Sequence, residues 1–265
     1  MRAPCRMFTL VGRTVISQIA YLGLVGLLMR DTVVSFFVSK IRWRLAMVQI
    51  AEMGFRSQLV VAVTGAFTGA VFAAQTYFQF HRLGMDSAVG PVVSLSMFRE
   101  LGPVLTGLMV AGRVGAAIAA ELGTMKVTEQ IDALRALGVQ PVDYLVVPRV
   151  IALLISMPLL VIECVGFALV AGWFVGVKVL HISSAYFLEN MRRYTDLNDI
   201  GWAVSKGFFF GMIIVFLSCY EGINAREGAV GVGRAPTEAV VRSSLAILIS
   251  NFFLSFGLNI VFPTI

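Results

Sequence analysis

Long apolar runs alternate with short polar segments along most of the chain. A helix rises 1.5 Å per residue, so about 20 residues cross the roughly 30 Å hydrocarbon core of a membrane. Five runs have this length. We predict membrane-spanning helices at residues 57–80, 92–120, 150–177, 200–220 and 243–265. The first is the clearest, because it contains no charged side chain.

The segment before the first predicted span has a different pattern. The apolar run from Val15 to Met29 is short for a span, and we predict an amphipathic helix lying in the membrane interface. A signal-peptide core is the alternative, although no small-x-small cleavage motif follows the run. Polar residues from Arg42 to Arg56 recur at helical spacing and predict a second amphipathic helix. We therefore divide the chain into N-terminal interfacial helices, 1–56, and a five-span domain, 57–265.

The composition supports a lipid environment for these runs. Hydrophobic residues make up 58% of the chain and charged residues 14%, against about 45–50% and about 25% in soluble domains. A soluble globule of this size cannot remove so much apolar surface from water. An ordinary soluble enzyme, a disordered chain and a nucleic-acid-binding protein are excluded. The predicted fold class is an all-α integral membrane protein.

The basic residues predict the orientation of the chain. If the N-terminal region is cytoplasmic, 15 of the 21 lysines and arginines lie on cytoplasmic segments or near them and 6 lie on outer ones. Cytoplasmic loops carry the excess of basic residues in membrane proteins. We predict a cytoplasmic N-terminal region and a C-terminus on the outer side.

The cytoplasmic loop between spans two and three has the pattern of a short amphipathic helix. Val127, Ile131 and Leu134 follow the spacing i, i+4, i+7, and Gly138 with Pro141 predicts where the helix ends. The predicted helix has about 11 residues, at 127–137. It is either a surface helix that caps the bundle or a helix that docks into a groove of a partner.

Two adjacent charges, Arg99 and Glu100, lie inside the second predicted span. A charge in hydrocarbon needs a partner or water, and neighbours on a helix point about 100° apart, so the two side chains pair poorly with each other. Glu163 is a possible partner. Either the charges form structural ion pairs, or they form a lipid site in which Arg99 attracts an anionic headgroup. The residues that would line the acyl path are Leu95, Leu101 and Val104.

Arg113 lies 14 residues after Arg99 on the same predicted helix. We predict that it reaches the inner membrane surface or pairs with Glu121.

Small residues recur four apart on several spans, as in Gly65/Gly69, Gly172/Gly176 and Gly207/Gly211. Such spacing lets membrane helices approach closely. It predicts either packing within the bundle or a seam between two copies of the chain.

Several stretches resemble one family. Phe98–Leu105, Ala111–Gly115, Glu121–Met125, Thr128–Leu134 and Val240–Leu245 are similar to the MlaE/YrbE family, the permease subunits of ABC transporters that work with MCE proteins. The similarity runs from about residue 45 to the end and is densest at 98–148. Residues 1–40 match no part of the family that we can place.

The resemblance implies a phospholipid permease. Such subunits form a homodimer in the bacterial inner membrane, with two ATPase subunits on the cytoplasmic side. A hexamer of MCE proteins on the periplasmic side leads phospholipid to or from the outer membrane. The short helix of the loop would then couple the permease to the ATPase. The residues that we expect to carry this coupling are Glu129, Ile131, Asp132, Leu134 and Arg135.

The chain lacks the residues of a motor or an enzyme. No lysine follows a glycine, so there is no P-loop, and ATP with Mg²⁺ is expected to bind to the partner ATPase. No catalytic or metal-binding constellation is evident, and the run Gly228–Gly233 reads as a flexible loop. The alternatives are a permease for another hydrophobic or a small polar solute, and a membrane scaffold without transport activity.

Overall fold

The computed structural model describes residues 3–38, 42–225 and 228–261. This part of the chain is helical and contains no β-strand, as the all-α prediction expects. The α-helices are α1 (Ala3–Val38), α2 (Trp43–Met53), α3 (Gln58–Phe80), α4 (Val89–Ser96), α5 (Gly102–Val110), α6 (Ala116–Val127), α7 (Gln130–Ala136), α8 (Val147–Phe174), α9 (Ser184–Tyr194), α10 (Leu197–Ile223) and α11 (Gly228–Val261).

The N-terminal region contains a much longer helix than predicted. α1 continues for 36 residues, past the Val15–Met29 run. Arg30 and Asp31 lie within the helix and form an exposed ion pair at 3.0 Å, and Thr32 donates a hydrogen bond to the carbonyl of Leu28. The described residues therefore include six helical segments long and apolar enough to cross a membrane, one more than the five predicted.

The other predicted spans have helices at the expected places. α3 and α10 differ from the predicted bounds by three residues or fewer at each end. The second span is a longer helical rod than predicted, in which α4, α5 and α6 are joined by two π-helical turns, Met97–Leu101 and Ala111–Gly115. The predicted amphipathic α2 is also present, and Glu52 and Arg56 form an i, i+4 ion pair at 3.1 Å.

Two parts of the chain are helical where no helix was predicted. The run Gly228–Gly233 is the first turn and a half of α11 rather than a flexible loop, since helix α11 begins at Gly228 and packs its first turns beside α6. The last predicted span, 243–265, therefore corresponds to a helix that starts 15 residues earlier, and 262–265 lie outside the described residues. Between α8 and α10, α9 is an additional amphipathic helix whose Phe187 is buried.

α8 lies at the centre of the bundle, in contact with α2, α3 and α10. Around it the buried side chains form a larger cluster, which includes residues of α7, and a smaller cluster, which includes residues of α9. Ile131 of α7 belongs to the larger cluster, and Phe187 of α9 to the smaller. Both short helices are thus anchored to the bundle by one buried apolar side chain.

The predicted small-residue motifs lie at helix contacts within the chain. A β-carbon on Gly65 would overlap the carbonyl oxygen of Cys164, and one on Gly69 would overlap that of Ala168. Gly207 and Gly211 face α8 in the same way. These motifs pack α3 and α10 against α8, which agrees with the first of the two interpretations.

The outer faces of the helices are strongly apolar. On α1, Ile16, Ile19 and Leu22 are each more than 60% exposed, and on α11 the same holds for Phe252 and Phe256. Contiguous apolar surface of this extent is not found on soluble monomers. These faces are suited to contact with lipid or with another membrane helix.

Candidate functional site

The charged pair of the second span lies on the π-helical turn Met97–Leu101. A π-helical turn inserts one extra residue and re-aims the side chains that it carries, and such turns are frequent at functional sites. Here the turn directs Arg99 and Glu100 toward different neighbours. The prediction that they do not pair with each other is confirmed.

Arg99 forms an ion pair with Asp199 at the start of α10. The distance from Arg99 Nε to Asp199 Oδ1 is 2.7 Å, and the aspartate side chain is 2% exposed while that of Arg99 is 27% exposed. Asp199 also accepts a hydrogen bond from the backbone N–H of Asp196, as part of the capping box of α10. The guanidinium lies 5.4 Å from the ring centre of Trp202. Arg99 is therefore held by Asp199 and Trp202, and 27% of its side chain remains exposed.

Glu100 forms a second ion pair, with Lys206 of α10. The two charges are 3.0 Å apart, and Lys206 is fully buried whereas Glu100 is 43% exposed. The ammonium also donates to Ser255 and to the backbone carbonyl of Arg99. Glu100 accepts further hydrogen bonds of 2.8 Å from Asn251 and Ser255 of α11. Arg99, Glu100, Asp199 and Lys206 thus each have the partner that a charge at membrane depth requires.

The other predicted lipid-site residues lie on both sides of this charged network. Leu95, Leu101 and Val104 are all partly buried. Leu101 packs against the smaller cluster and Val104 against the larger one, so the two do not share one apolar wall. Glu163, proposed as a partner, has no hydrogen bond or ion pair within the part of the chain that the structure describes, so this prediction is wrong.

The short helix predicted between spans two and three is present but smaller than predicted. α7 has seven residues, because Val127 ends α6 and Glu129 adopts a left-handed conformation with φ of 60°. Gly138, with φ of 75°, follows the helix as expected. Ile131 is fully buried and Leu134 partly buried. The apolar side of α7 thus faces the permease bundle.

The polar side of α7 is exposed and organised by ion pairs. Asp132 accepts hydrogen bonds from Lys126 at 2.8 Å and from Arg135 at 3.0 Å. The hydrogen bond from Lys126 is the main reason that the pKa of Asp132 lies below its ordinary value. The carboxylate is therefore charged at physiological pH.

Arg113 and Glu121 do not pair as predicted. Arg113 donates a hydrogen bond of 2.5 Å to the hydroxyl of Ser57, at the start of α3. Glu121 instead pairs with Arg149 at 2.9 Å, at the start of α8. Both contacts join the inner half of the second span to a neighbouring helix.

Comparison with known proteins identifies the family. The model of the MlaE permease family matches residues 46–256, about four fifths of the chain. The chain belongs to the MlaE permease family. The family resemblance inferred from the motifs of the second span and the following loop is confirmed.

Relatives of the permease occur in bacteria and in plastids. A probable ABC transporter permease protein of Rickettsia typhi is 45% identical over 246 residues, which cover 93% of this chain and 95% of the relative. A similarly named protein of Synechocystis is 43% identical over 216 residues, 82% of each chain. The chloroplastic protein Trigalactosyldiacylglycerol 1 of Arabidopsis thaliana is 40% identical over 225 residues, which cover 85% of this chain and 64% of the relative.

These matches establish the general role of the chain. It is the permease subunit of an ABC transporter and a multi-pass membrane protein. Membership of this family implies a separate ATPase subunit as partner. Among the described residues there is no group of three or more His, Cys, Asp or Glu side chains placed to hold a metal ion.

Sequence reasoning overlooked the partners of the charged pair. These are Asp199 and Lys206 on α10, with Asn251 and Ser255 on α11. One signal was available, because Lys206 is a lone cation in an otherwise apolar run and such a residue needs an anion nearby. The spacing of Asp196 and Asp199 before an apolar run also matches a capping box. Nothing in the sequence indicated Asn251 or Ser255.

Proposed function

We propose that the permease moves phospholipid or a related lipid between the bacterial inner membrane and an MCE-protein conduit to the outer membrane. A separate ATPase dimer binds and hydrolyses ATP with Mg²⁺. The permease itself breaks no bond in its cargo. Two copies of the chain form the lipid path, with the ATPase on the cytoplasmic side and an MCE hexamer on the periplasmic side.

The charged network on the second span carries this proposal. Arg99 and Glu100 remain part-exposed, although each has a fixed counter-ion. A lipid phosphate can approach Arg99 at its exposed part and share it with Asp199, because a guanidinium offers five N–H donors. Leu95, Leu101 and Val104 would contact the acyl chains on either side of the network. A small polar solute would need a more enclosed polar site than this one.

The name of the plastid relative supports a lipid cargo. Trigalactosyldiacylglycerol, which appears in that name, is a glycolipid. The relative is 40% identical over most of this chain. A lipid of related structure, with two acyl chains and a polar headgroup, is therefore the preferred substrate class here.

The proposed coupling element is α7. Its apolar side is fixed to the bundle by Ile131 and Leu134, and its charged side, with Glu129, Asp132 and Arg135, is exposed on the cytoplasmic side. A helix held in this way can transmit a displacement from the ATPase to the bundle and from the bundle to the ATPase. Closure of the ATPase dimer would push α7 and, through the buried Ile131, the cytoplasmic half of the bundle.

Five spans remain our preferred topology, with α1 in the inner interface. Tyr21 donates a hydrogen bond to Glu221 at the cytoplasmic end of α10, and Ser35 donates one to Asp143 just before α8. These contacts are 14 residues apart, about 21 Å along α1, yet both join it to cytoplasmic ends of spans. If α1 crossed the membrane, two contacts this far apart along it would lie at different depths in the membrane. α1 is thus proposed to run along the inner membrane surface.

The charge distribution supports the same topology. If α1 crossed the membrane, Arg2, Arg6 and Arg13 would move to the outer side. The count of basic residues would then fall from 15 against 6 to 12 against 9. The excess of basic residues on the cytoplasmic side is larger with a cytoplasmic N-terminus and a periplasmic C-terminus, and this excess favours that topology.

A neutral replacement of the outer ion pair tests the cargo proposal. The double variant Arg99→Gln/Asp199→Asn removes both charges together, so that no buried carboxylate is left unpaired. We expect assembly with the ATPase to be retained and ATP-driven phospholipid transport to fall by about tenfold, since a charge-assisted contact to the headgroup is lost. Arg82→Gln, an exposed arginine at the outer end of α3, is the control. Normal transport by the double variant would refute the lipid role of Arg99.

A further inference from the structure

A polar cavity lies on the cytoplasmic side of the permease, between α2 and the inner half of the second span. Its volume is about 390 Å³, and polar and apolar side chains line it. The charged residues in its wall are Glu52, Arg56, Arg113 and Glu121. It lies 14 residues from Arg99 along the second span, about 21 Å along the helix axis. This inner cleft is therefore separate from the charged network on which the proposed function rests.

Two glutamates and two arginines line the inner cleft, but one of the glutamates is paired with an arginine outside its wall. Glu52 is paired with Arg56 at 3.1 Å, and Glu121 with Arg149 at 2.9 Å. Arg113 has no carboxylate within ion-pair distance among the described residues, and its recorded partner is the neutral hydroxyl of Ser57. Four of its five N–H donors remain for another group. The cleft keeps one positive charge without an anion.

The local structure holds the guanidinium of Arg113 in place. Arg113 lies on the π-helical turn Ala111–Gly115. Ser57, which accepts its hydrogen bond, donates its own proton to the backbone carbonyl of Met53 at 2.6 Å. The hydroxyl is thereby fixed as an acceptor toward Arg113. This arrangement leaves the remaining N–H groups of Arg113 available to a ligand in the cleft.

The cleft lies at the depth of lipid headgroups. Ser57 marks the junction between the amphipathic α2 and the first span. On α2, Trp43, Met47 and Val48 are each more than half exposed, a pattern typical of a helix that lies in the membrane interface. Glu121 and Arg149, farther along, belong to the cytoplasmic ends of their helices. A lipid of the inner leaflet can thus reach the cleft from the side.

We propose that the inner cleft binds the phosphodiester of a phospholipid in the cytoplasmic leaflet, with Arg113 as the binding residue. A guanidinium presents two parallel N–H groups that match two oxygens of a phosphate. Ser57 acts as a positioning residue that orients Arg113. The site concerns inner-leaflet lipid and does not depend on the path taken past Arg99, so it extends the proposed function rather than restating it.

Lipid binding to the purified permease–ATPase complex tests the proposal. The probe is dioleoylphosphatidylglycerol added to delipidated complex and counted by native mass spectrometry, with dioleoylglycerol as the analogue without phosphate. We expect Arg113→Gln to weaken one phosphatidylglycerol site about tenfold and to leave dioleoylglycerol unaffected. Ser57→Ala should weaken it about threefold. The matched control is Arg44→Gln, which removes an exposed arginine from α2, outside the cleft.

Two further measurements separate the alternatives. Inorganic phosphate should compete weakly, because the acyl chains add most of the affinity; competition at equal concentration would show a site for free phosphate and would overturn the proposal. Arg113→Lys keeps the charge and should retain part of the binding even if Arg113→Gln folds poorly. Unchanged lipid binding in Arg113→Gln, equal loss in Arg44→Gln, or release of the ATPase by Arg113→Gln with lipid binding intact would each refute a lipid site.

Discussion

Single charged residues in apolar surroundings organise the second span. Lys206 is fully buried and holds Glu100, Ser255 and the carbonyl of Arg99 together, so it joins the second span to α11 through α10. Removing one member of a buried ion pair leaves the other charge uncompensated, which costs about 3–5 kcal/mol. The stability of the outer half of the bundle therefore depends on this one lysine.

Lys206→Met is expected to destabilise the permease by about 3 kcal/mol, because Glu100 would remain charged without its partner. The measurement is chemical or thermal unfolding in detergent. Lys178→Met, at an exposed lysine near the outer end of α8, should change stability little. The double variant Lys206→Met/Glu100→Gln should recover much of the loss. If the double variant is no more stable than Lys206→Met, the ion pair does not stabilise the fold.

Among the described glycines, Gly69 has the least room for a side chain, since a β-carbon there would lie 2.1 Å from the carbonyl oxygen of Ala168. A β-carbon there would overlap the backbone of Ala168, so Gly69→Ala must push α3 away from α8. We expect a loss of about 1–3 kcal/mol in unfolding free energy. Gly166→Ala on α8, where a β-carbon meets no atom within 4 Å, is the matched control. Equal effects of the two substitutions would contradict the assignment of this motif to packing within the chain.

At the scale of elements, the amphipathic pattern predicted α7 but not its length. Ile131 and Leu134 were correctly placed on the buried side, because their spacing depends on local helix geometry alone. The start of the helix was placed wrongly at Val127. The left-handed conformation of Glu129 separates α6, which ends at Val127, from α7. Nothing in the local sequence marks that break. Charge patterns likewise identified Arg99 and Glu100 but not partners about 100 residues away.

Charge reversal on α7 tests its role as the coupling element. Asp132→Lys should lower ATP-driven transport at least several-fold and make the attachment of the ATPase weaker and more salt-sensitive, because Asp132 is exposed and charged at physiological pH. Glu189→Lys on the outer helix α9 makes the same change of charge on the opposite side of the membrane. Normal transport and normal attachment of the ATPase in Asp132→Lys would rule out α7 as the coupling element.

The placement of α1 can be measured by accessibility in spheroplasts. If α1 lies in the inner interface, a single cysteine introduced at Arg13 will react with an impermeant reagent only after the inner membrane is opened, as will one introduced at Thr128. A cysteine introduced at Leu83, between the first and second spans, should react at once. Immediate labelling at residue 13 would show that α1 crosses the membrane and that the chain has six spans.

At the scale of the whole molecule, the apolar runs were sufficient to predict an all-α membrane protein and the approximate position of five helices. Their count and ends were less predictable, because charged residues such as Arg30 and Asp31 end an apolar run without ending the helix that contains it. The start of α11 was missed for a related reason. Its glycines are poor helix formers, yet the helix begins at Gly228.

The central claim is that this chain is a lipid pathway driven by the nucleotide cycle of another subunit through α7. The most direct test is mass spectrometry of the lipids retained by the purified permease–ATPase complex, before and after ATP turnover, with a lipid acceptor present. The account predicts bound phospholipid whose amount changes with ATP hydrolysis and stays constant in the Asp132→Lys variant. A complex without phospholipid, or with the same amount whether or not ATP is hydrolysed, would contradict it.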